Sequence, residues 1–369
     1  MVKQDNMTWI ILFFLAYVAF CSKVFITQLA LDDAILDFLK YFYSLIFLCC
    51  FIYALTRLDS KEVVFYIIIF VFFIYTYLQS KTTAGYSILA LSYFAVICKR
   101  LNSKETAGIV LLGNIFNILL VLPFTFFTEY PLYAPDEVYG IRATFGFYNP
   151  NIAAMLILTI CMSVCWFLKE RSRGRITFLT LSTLIIICGF FLIEMTKSRT
   201  SAALLLILLA GVISSTLYPR AAFRRLFFLS ITLLVVGIIF FQFHSIKNYD
   251  PSVPDLNVLL SGRLSLGNTL YVNMGAPDLL YGIDIDSFTP IDFFYVAYFY
   301  TNGILLSMLT IYLIIRRIQR IKFDFLEMSI IVITILTTLT ERQILSPHCC
   351  LLVYIIYSQR NDELLNKDS

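Results

Sequence analysis

Residues 175–220 read RITFLTLSTLIIICGFFLIEMTKSRTSAALLLILLAGVISSTLYPR. Two apolar runs, 176–195 and 202–218, flank a short connection carrying Lys197 and Arg199, and further arginines close both outer ends. Each run is close to the roughly 20 residues that cross a ~30 Å hydrocarbon core as a helix. This unit of apolar span, tight polar turn and apolar span fixes the class. It predicts a helical hairpin through a membrane.

Working outward, the same pattern covers nearly the whole chain. Of the 369 residues, 60% are hydrophobic, 16% aromatic and 14% charged, against roughly 45–50% apolar and about 25% charged in globular domains. The mean hydropathy is +0.84. We read twelve spans, at residues 7–26, 36–56, 63–78, 84–98, 107–127, 151–168, 176–195, 202–218, 226–243, 291–315, 325–340 and 344–357. The expected fold is therefore all-α, one polytopic membrane domain over residues 1–369, with outer loops at 128–150 and 244–290.

Lys and Arg set the orientation, because cytoplasmic loops carry their excess. One alternating set of loops holds Arg57/Lys61, Lys99/Arg100/Lys104, Lys169/Arg171/Arg173/Arg175, Arg220/Arg224/Arg225 and Arg316/Arg317/Arg320/Lys322. The other set holds Asp32/Asp33, Glu129/Asp136/Glu137 and Asp278/Asp284/Asp286. The first set is expected to be cytoplasmic, together with both termini, and the second to face outward. The first apolar stretch is full length with no small-residue cleavage site after it, so it reads as a span and not a signal peptide.

The net charge of +4 follows from the basic loops and gives no reason to expect nucleic-acid binding. Cys21, Cys49, Cys50, Cys98, Cys161, Cys165 and Cys188 fall within spans, where cysteine acts as a small hydrophobe. No disulfide framework is expected. Cys161/Cys165, one turn apart, and His348-Cys349-Cys350 do not reach a metal-ligand pattern, with only two histidines in the chain.

Arg142, Arg199, Arg263 and Arg342 stand on the side where positive charge is sparse. Lys81 and Lys247 there read as interface anchors. Arg199 lies between two strongly apolar helices, where an unpaired guanidinium costs on the order of 2–3 kcal/mol. Pairing with acids such as Glu194 or Glu341 is one account of such arginines. The other is an anionic ligand, because planar guanidinium forks match phosphate oxygens bidentately. The proline- and glycine-rich segment 244–290 suggests short elements folded over the outer mouth.

The segments 142–151 (RATFGFYNPN), 196–201 (TKSRTS), Ser261-Gly262-Arg263 in the long loop, and Ile291-Asp292-Phe293-Phe294-Tyr295 followed by Asn302-Gly303 together resemble the Wzy-type O-antigen and capsule polymerases and the related O-antigen ligases. The resemblance covers roughly the C-terminal two-thirds. It implies a membrane glycosyltransferase (GT-C-like) architecture in a bacterial cytoplasmic membrane. Its substrates would be glycans carried on undecaprenyl pyrophosphate, its partners the lipid bilayer, a chain-length regulator and a flippase, and it would need no cofactor.

In that reading Arg142, Arg199, Arg263 and Arg342 neutralise the departing pyrophosphate, and an acid helps deprotonate the acceptor hydroxyl. Asp292 is the first candidate base, standing where the resembling ligases often have histidine, although after Pro290 it also suits a helix N-terminus. Glu341 is second and His244 third. Asn149 and Asn151 are candidate sugar ligands that equally well cap the helix following Pro150. Tyr271, Tyr281, Phe288 and Tyr295 fit sugar stacking or an interfacial aromatic belt. Three alternatives stay open: a ligase, a polyprenyl-phosphate-sugar transferase using Asp32-Asp33, and a lipid-linked glycan transporter or flippase. Asp284-Ile285-Asp286 resembles a metal–nucleotide-sugar site but lies on the side without nucleotide sugars.

Overall fold

A computed structural model describes residues 2–80, 85–136, 140–172, 174–218, 224–252, 255–260, 262–288, 291–341 and 349–358. The chain is helical nearly throughout. It runs α1 (Val2–Ile26), α2 (Asp33–Leu55), α3 (Ser60–Ser80), α4 (Gly85–Cys98), α5 (Ser103–Val121), a hairpin of β1 (Tyr133–Asp136) and β2 (Gly140–Ala143), α6 (Pro150–Arg171), α7 (Arg175–Thr196), α8 (Arg199–Leu217) and α9 (Arg224–Lys247). Then follow α10 (Asp255–Leu259), α11 (Arg263–Met274), α12 (Phe294–Asn302), α13 (Ile304–Arg320), α14 (Phe325–Thr337) and α15 (Leu351–Tyr357). Among the described residues eight helices, α1–α3 and α5–α9, are long and apolar enough to cross a membrane, and α4 and α14 are shorter apolar helices.

The helices pack as membrane helices do, through small residues and internal hydrogen bonds rather than by excluding water. A Cβ on Gly211 of α8 would lie 2.2 Å from Ser329 Oγ of α14, so only glycine lets these backbones approach. Tyr17 Oη donates to Asn114 Oδ1 at 2.7 Å and Asn114 Nδ2 to Ser163 Oγ at 3.1 Å, which ties α1, α5 and α6. Around them Phe13, Tyr17, Phe94 and Tyr354 meet edge to face. The outer sides of α2 and α3 carry exposed Phe38, Tyr41, Leu45, Ile67 and Val71, as lipid-facing helices should.

The two sets of loops collect at opposite ends. At one end Asn6 donates to Glu105 at 2.8 Å, Arg100 pairs with Glu62, Lys169 with Asp324 and Glu327, Arg224 donates to the Gln319 carbonyl and Arg317 to the Ile356 carbonyl. We call this the basic face. At the other, the Tyr148 N–H donates to the Gln28 carbonyl and the Glu129 N–H to the Ala30 carbonyl. This is the loop face.

One expected span is corrected. Residues 291–315 are two helices, α12 and α13, separated at Gly303 with φ 77°. The loop segment 278–283 enters the break: the Ile304 and Leu305 N–H groups donate to the Asp278 and Leu279 carbonyls at 2.9 and 3.0 Å, and the Ile283 N–H to the Tyr300 carbonyl at 2.7 Å. Backbone that cannot continue a helix inside a bilayer needs such partners. Of the expected span 344–357, residues 349–357 fall among the described ones, and Leu351–Tyr357 of these form α15. The long loop also has a core of its own, with Leu264 and Leu270 of α11 packed on Ile246, Ile285, Ile291, Phe293 and Tyr300.

Candidate functional site

Three distant segments meet on the loop face. The first is the hairpin, whose register pairs Ala134 with Arg142 and Asp136 with Gly140. Asp136 and Arg142 are therefore diagonal neighbours on one side of the ribbon, and Arg142 Nη1 lies 3.1 Å from Asp136 Oδ2. Arg142 Nη2 donates to Asn151 Oδ1 at 3.0 Å and Nε to the Thr196 carbonyl at 2.8 Å. That carbonyl is one of the unsatisfied acceptors at the end of α7. It is presented by a two-residue turn in which Lys197 takes the left-handed conformation, φ 56°. A guanidinium there also complements the helix dipole.

The second segment is the start of α11. Gly262, at φ 81°, turns the chain so that Arg263 is the first helical residue. A cation at a helix N-terminus opposes the dipole, so Arg263 needs anionic neighbours. The third segment supplies them. Ile291 and Phe293 are buried in the loop core, and Asp292 between them turns to Arg263, with Oδ2 3.4 Å from Nε. Glu341, just past α14, places Oε1 3.8 Å from Arg263 Nη2. The side chains of Arg263 and Glu341 are only 10% and 13% exposed, whereas Asp292 keeps 29%, so of the two acids beside Arg263, Asp292 is the more open.

Burial, then the charge of Asp292, pushes the Glu341 carboxyl from the ordinary 4.5 up to about 8, against the opposing pull of Arg263 and Arg142. Arg142 and Arg263 thus act on one carboxyl although they are 121 positions apart in sequence. Glu341 is held in place by its own N–H donating to the Thr337 carbonyl at 2.9 Å, and beside it Gln242 Nε2 donates to the Thr338 carbonyl at 2.7 Å. Gln242 Oε1 accepts from the Tyr295 N–H at 3.0 Å, so this buried glutamine joins α9, α12 and the end of α14.

Of the residues expected from sequence, Arg142 and Asn151 come together, as do Arg263, Asp292 and Glu341. Asn149 caps α6, its side chain accepting from the Asn151 N–H at 2.9 Å. Arg199 begins α8 as an exposed residue three positions beyond Thr196. Its proposed partner Glu194 pairs instead with Lys197 at 2.8 Å. His244 is exposed and stacks on Phe240 at 5.2 Å between centroids. It lies about 200° around α9 from Gln242, away from the cluster. Arg342 lies outside the described residues. Asp136 and Gln242 were missed as site residues. The first had an outward acid's signal and no visible partner; the second was one amide in an apolar run.

No group of three or more His, Cys, Asp or Glu that could hold a metal occurs among the described residues. No family model matches the chain, and neither a curated protein nor a solved structure does.

Proposed function

We propose that this protein is a glycan polymerase of the Wzy type, joining repeat units carried on undecaprenyl pyrophosphate, with its loop face outside a bacterial cytoplasmic membrane. The observation that carries the reading is the meeting of Arg142 and Arg263 with Asp292 and Glu341 on the face opposite the basic loops. Twelve crossings in a GT-C-like arrangement, with both termini on the basic, cytoplasmic side, belong to the same proposal. In it α12 and α13 form one broken crossing.

The acceptor hydroxyl oxygen attacks the anomeric carbon of the donor glycan. The bond from that carbon to the pyrophosphate oxygen breaks, and the proton goes to Asp292. Arg263, 3.4 Å from that carboxylate, orients it and, with Arg142, lowers the energy of the charge developing on the leaving pyrophosphate. Arg142 is anchored by three neighbours, so its charge is already in place when the reaction occurs. Glu341 holds a proton near neutrality and adds no negative charge against the leaving group. His244 has no part in this scheme.

The broken helix at Gly303 favours a second reading, a lipid-linked glycan flippase, since transporters use interrupted helices. Deleting the gene and sizing surface glycan on gels separates them. The expected result is a single exported and attached repeat unit. Long chains stranded on the lipid carrier would indicate a ligase, and repeat units retained on the cytoplasmic leaflet a flippase; either overturns the polymerase.

A further inference from the structure

Two helices measure, independently, how deep the break between α12 and α13 lies. α3 is one of the eight helices able to cross a membrane, and its Glu62 marks the basic face, where it pairs with Arg100. Tyr75 of the same helix meets the ring of Tyr281, in the loop segment that enters the break, edge to face at 6.5 Å between centroids. At 1.5 Å per residue the rise from Glu62 to Tyr75 is roughly 20 Å. On α13, the rise from Arg316 at the basic face back to Ile304 beside the break is roughly 18 Å. Both fall short of the ~30 Å hydrocarbon core, so the break lies roughly 10 Å beneath the edge of that core nearer the loop face. Helix tilt, which shortens the vertical rise, only deepens it.

Segment 278–281 shares this depth, because its Asp278 and Leu279 carbonyls accept from the first two N–H groups of α13 at 2.9 and 3.0 Å. Its own Leu280 and Tyr281 N–H groups donate to Asp278 Oδ1 at 2.8 and 3.2 Å. Non-helical backbone is tolerated at membrane depth when protein groups satisfy it in this way. Asp278, the only charged residue in 278–283, turns that oxygen back onto the amides, which offsets the cost of carrying it below the surface. The side chains left outside are apolar: Leu279 and Leu280 are 58% and 47% exposed. They continue a lipid-facing surface. Exposed Leu305, Met308, Leu309 and Tyr312 recur at helical spacing along α13, and exposed Val71 and Leu78 flank Tyr75 on α3.

We propose that segment 278–281 is re-entrant: it leaves the loop face, enters the near half of the bilayer and presents Leu279 and Leu280 to lipid acyl chains. The partner of this surface is the membrane hydrocarbon itself. The immersed segment follows α11 directly, and between them the Gly275 carbonyl accepts from Tyr300 Oη of α12. The helix that begins with Arg263 is thereby moored to the membrane at its far end. The inference rests on helix lengths, hydrogen bonds and exposed side chains, so it stands whether or not the polymerase reading does.

The test uses the purified full-length protein in dioleoyl phosphatidylcholine nanodiscs, with Cys49 and Cys188 changed to Ser; the remaining cysteines are buried. A nitroxide on Leu280→Cys should collide more with oxygen, which dissolves in hydrocarbon, than with a water-soluble nickel chelate. Its ratio of the two should match that of Val71→Cys on α3 and exceed that of Ser252→Cys, an exposed position earlier in the loop. Leu280→Trp covers the case in which the labelled variant does not fold: in nanodiscs of phosphatidylcholine brominated at acyl carbons 11 and 12, most of the emission it adds to that of Trp9 and Trp166 should be lost. Leu280→Asp should lower the thermal unfolding midpoint by several degrees, and Ser252→Asp should leave it unchanged. A nickel-dominated ratio at Leu280→Cys, added emission from Leu280→Trp that bromine does not quench, or a midpoint unmoved by Leu280→Asp would each put the segment in water and overturn the proposal.

Discussion

At the scale of single residues, Arg263 is the hinge of the cluster, because among the described residues its guanidinium lies 3.4 Å from the Asp292 carboxylate and 3.8 Å from the Glu341 carboxyl. Arg263→Ala should abolish most glycan polymerisation, a loss of at least about tenfold, while Arg263→Lys should recover only part, since an ammonium keeps the charge and loses the planar fork. Full-length glycan from an alanine variant at normal membrane abundance would remove Arg263 from the reaction. Glu341 makes a separate, pH-dependent prediction. Its carboxyl is raised to about 8 in the folded protein, so its protonated form is favoured there. The stabilisation is full below the unfolded value near 4.5 and is lost as pH rises toward 8, by about 1.4 kcal/mol per unit. Thermal unfolding in detergent should show wild type weakening from pH 5 to 8, and Glu341→Gln should flatten that slope. An unchanged slope would mean that water or movement already solvates the carboxyl.

At the scale of elements, the break between α12 and α13 is a joint made by two chains of backbone and not a flaw in one helix. Its seal is Gly282, where an added Cβ would sit 1.8 Å from the Thr301 carbonyl oxygen. That neighbour is backbone in α12 and cannot swing aside. Gly282→Ala should therefore destabilise by more than about 3 kcal/mol, read as a lower unfolding midpoint or as loss of monodisperse protein. Gly237 of α9 is the control. Nothing lies within 4 Å of a Cβ there, and Gly237→Ala should be neutral or stabilising by up to about 1 kcal/mol through helix propensity. If both variants behaved alike, segment 278–283 would not be seated in the break.

At the scale of the whole molecule, loops of like composition gather at one end or the other, and this two-ended distribution of charge is what orientation acts on. Ser172→Cys, at the end of α6 on the basic face, should be protected from an impermeant thiol reagent added outside intact cells. Ser252→Cys, in the long loop, should react. The native Cys49 and Cys188 are exposed only along spans, where a charged reagent does not reach. Labelling of Ser172→Cys but not Ser252→Cys would invert the protein and move the arginine and acid cluster into the cytoplasm. The polymerase reading would fall with it.

Apolar run length and Lys/Arg alternation are local properties, so the sequence by itself determined a polytopic helical membrane protein and which loops share a face. Within the run 175–220, residues 175–217 are α7, a tight turn and α8. Length could not reveal the break at Gly303, because 291–315 is long enough and, apart from Asp292 and Thr301-Asn302-Gly303, largely apolar, and its interruption depends on carbonyls supplied from Asp278 and Leu279. The candidate site divides in the same way. Arg142 and Arg263 are legible as basic residues on the side where Lys and Arg are sparse, Glu341 as an acid at an outer helix end, and Asp292 through the family resemblance. Who pairs with whom is not. Arg263 meets acids 29 and 78 positions away, Glu194 goes to Lys197 and not Arg199, and His244 turns outward because Gln242, two residues earlier, turns inward. Electrostatic pairing acts over a few ångströms in space, and only the packing of α9, α11, α12 and α14 sets those distances.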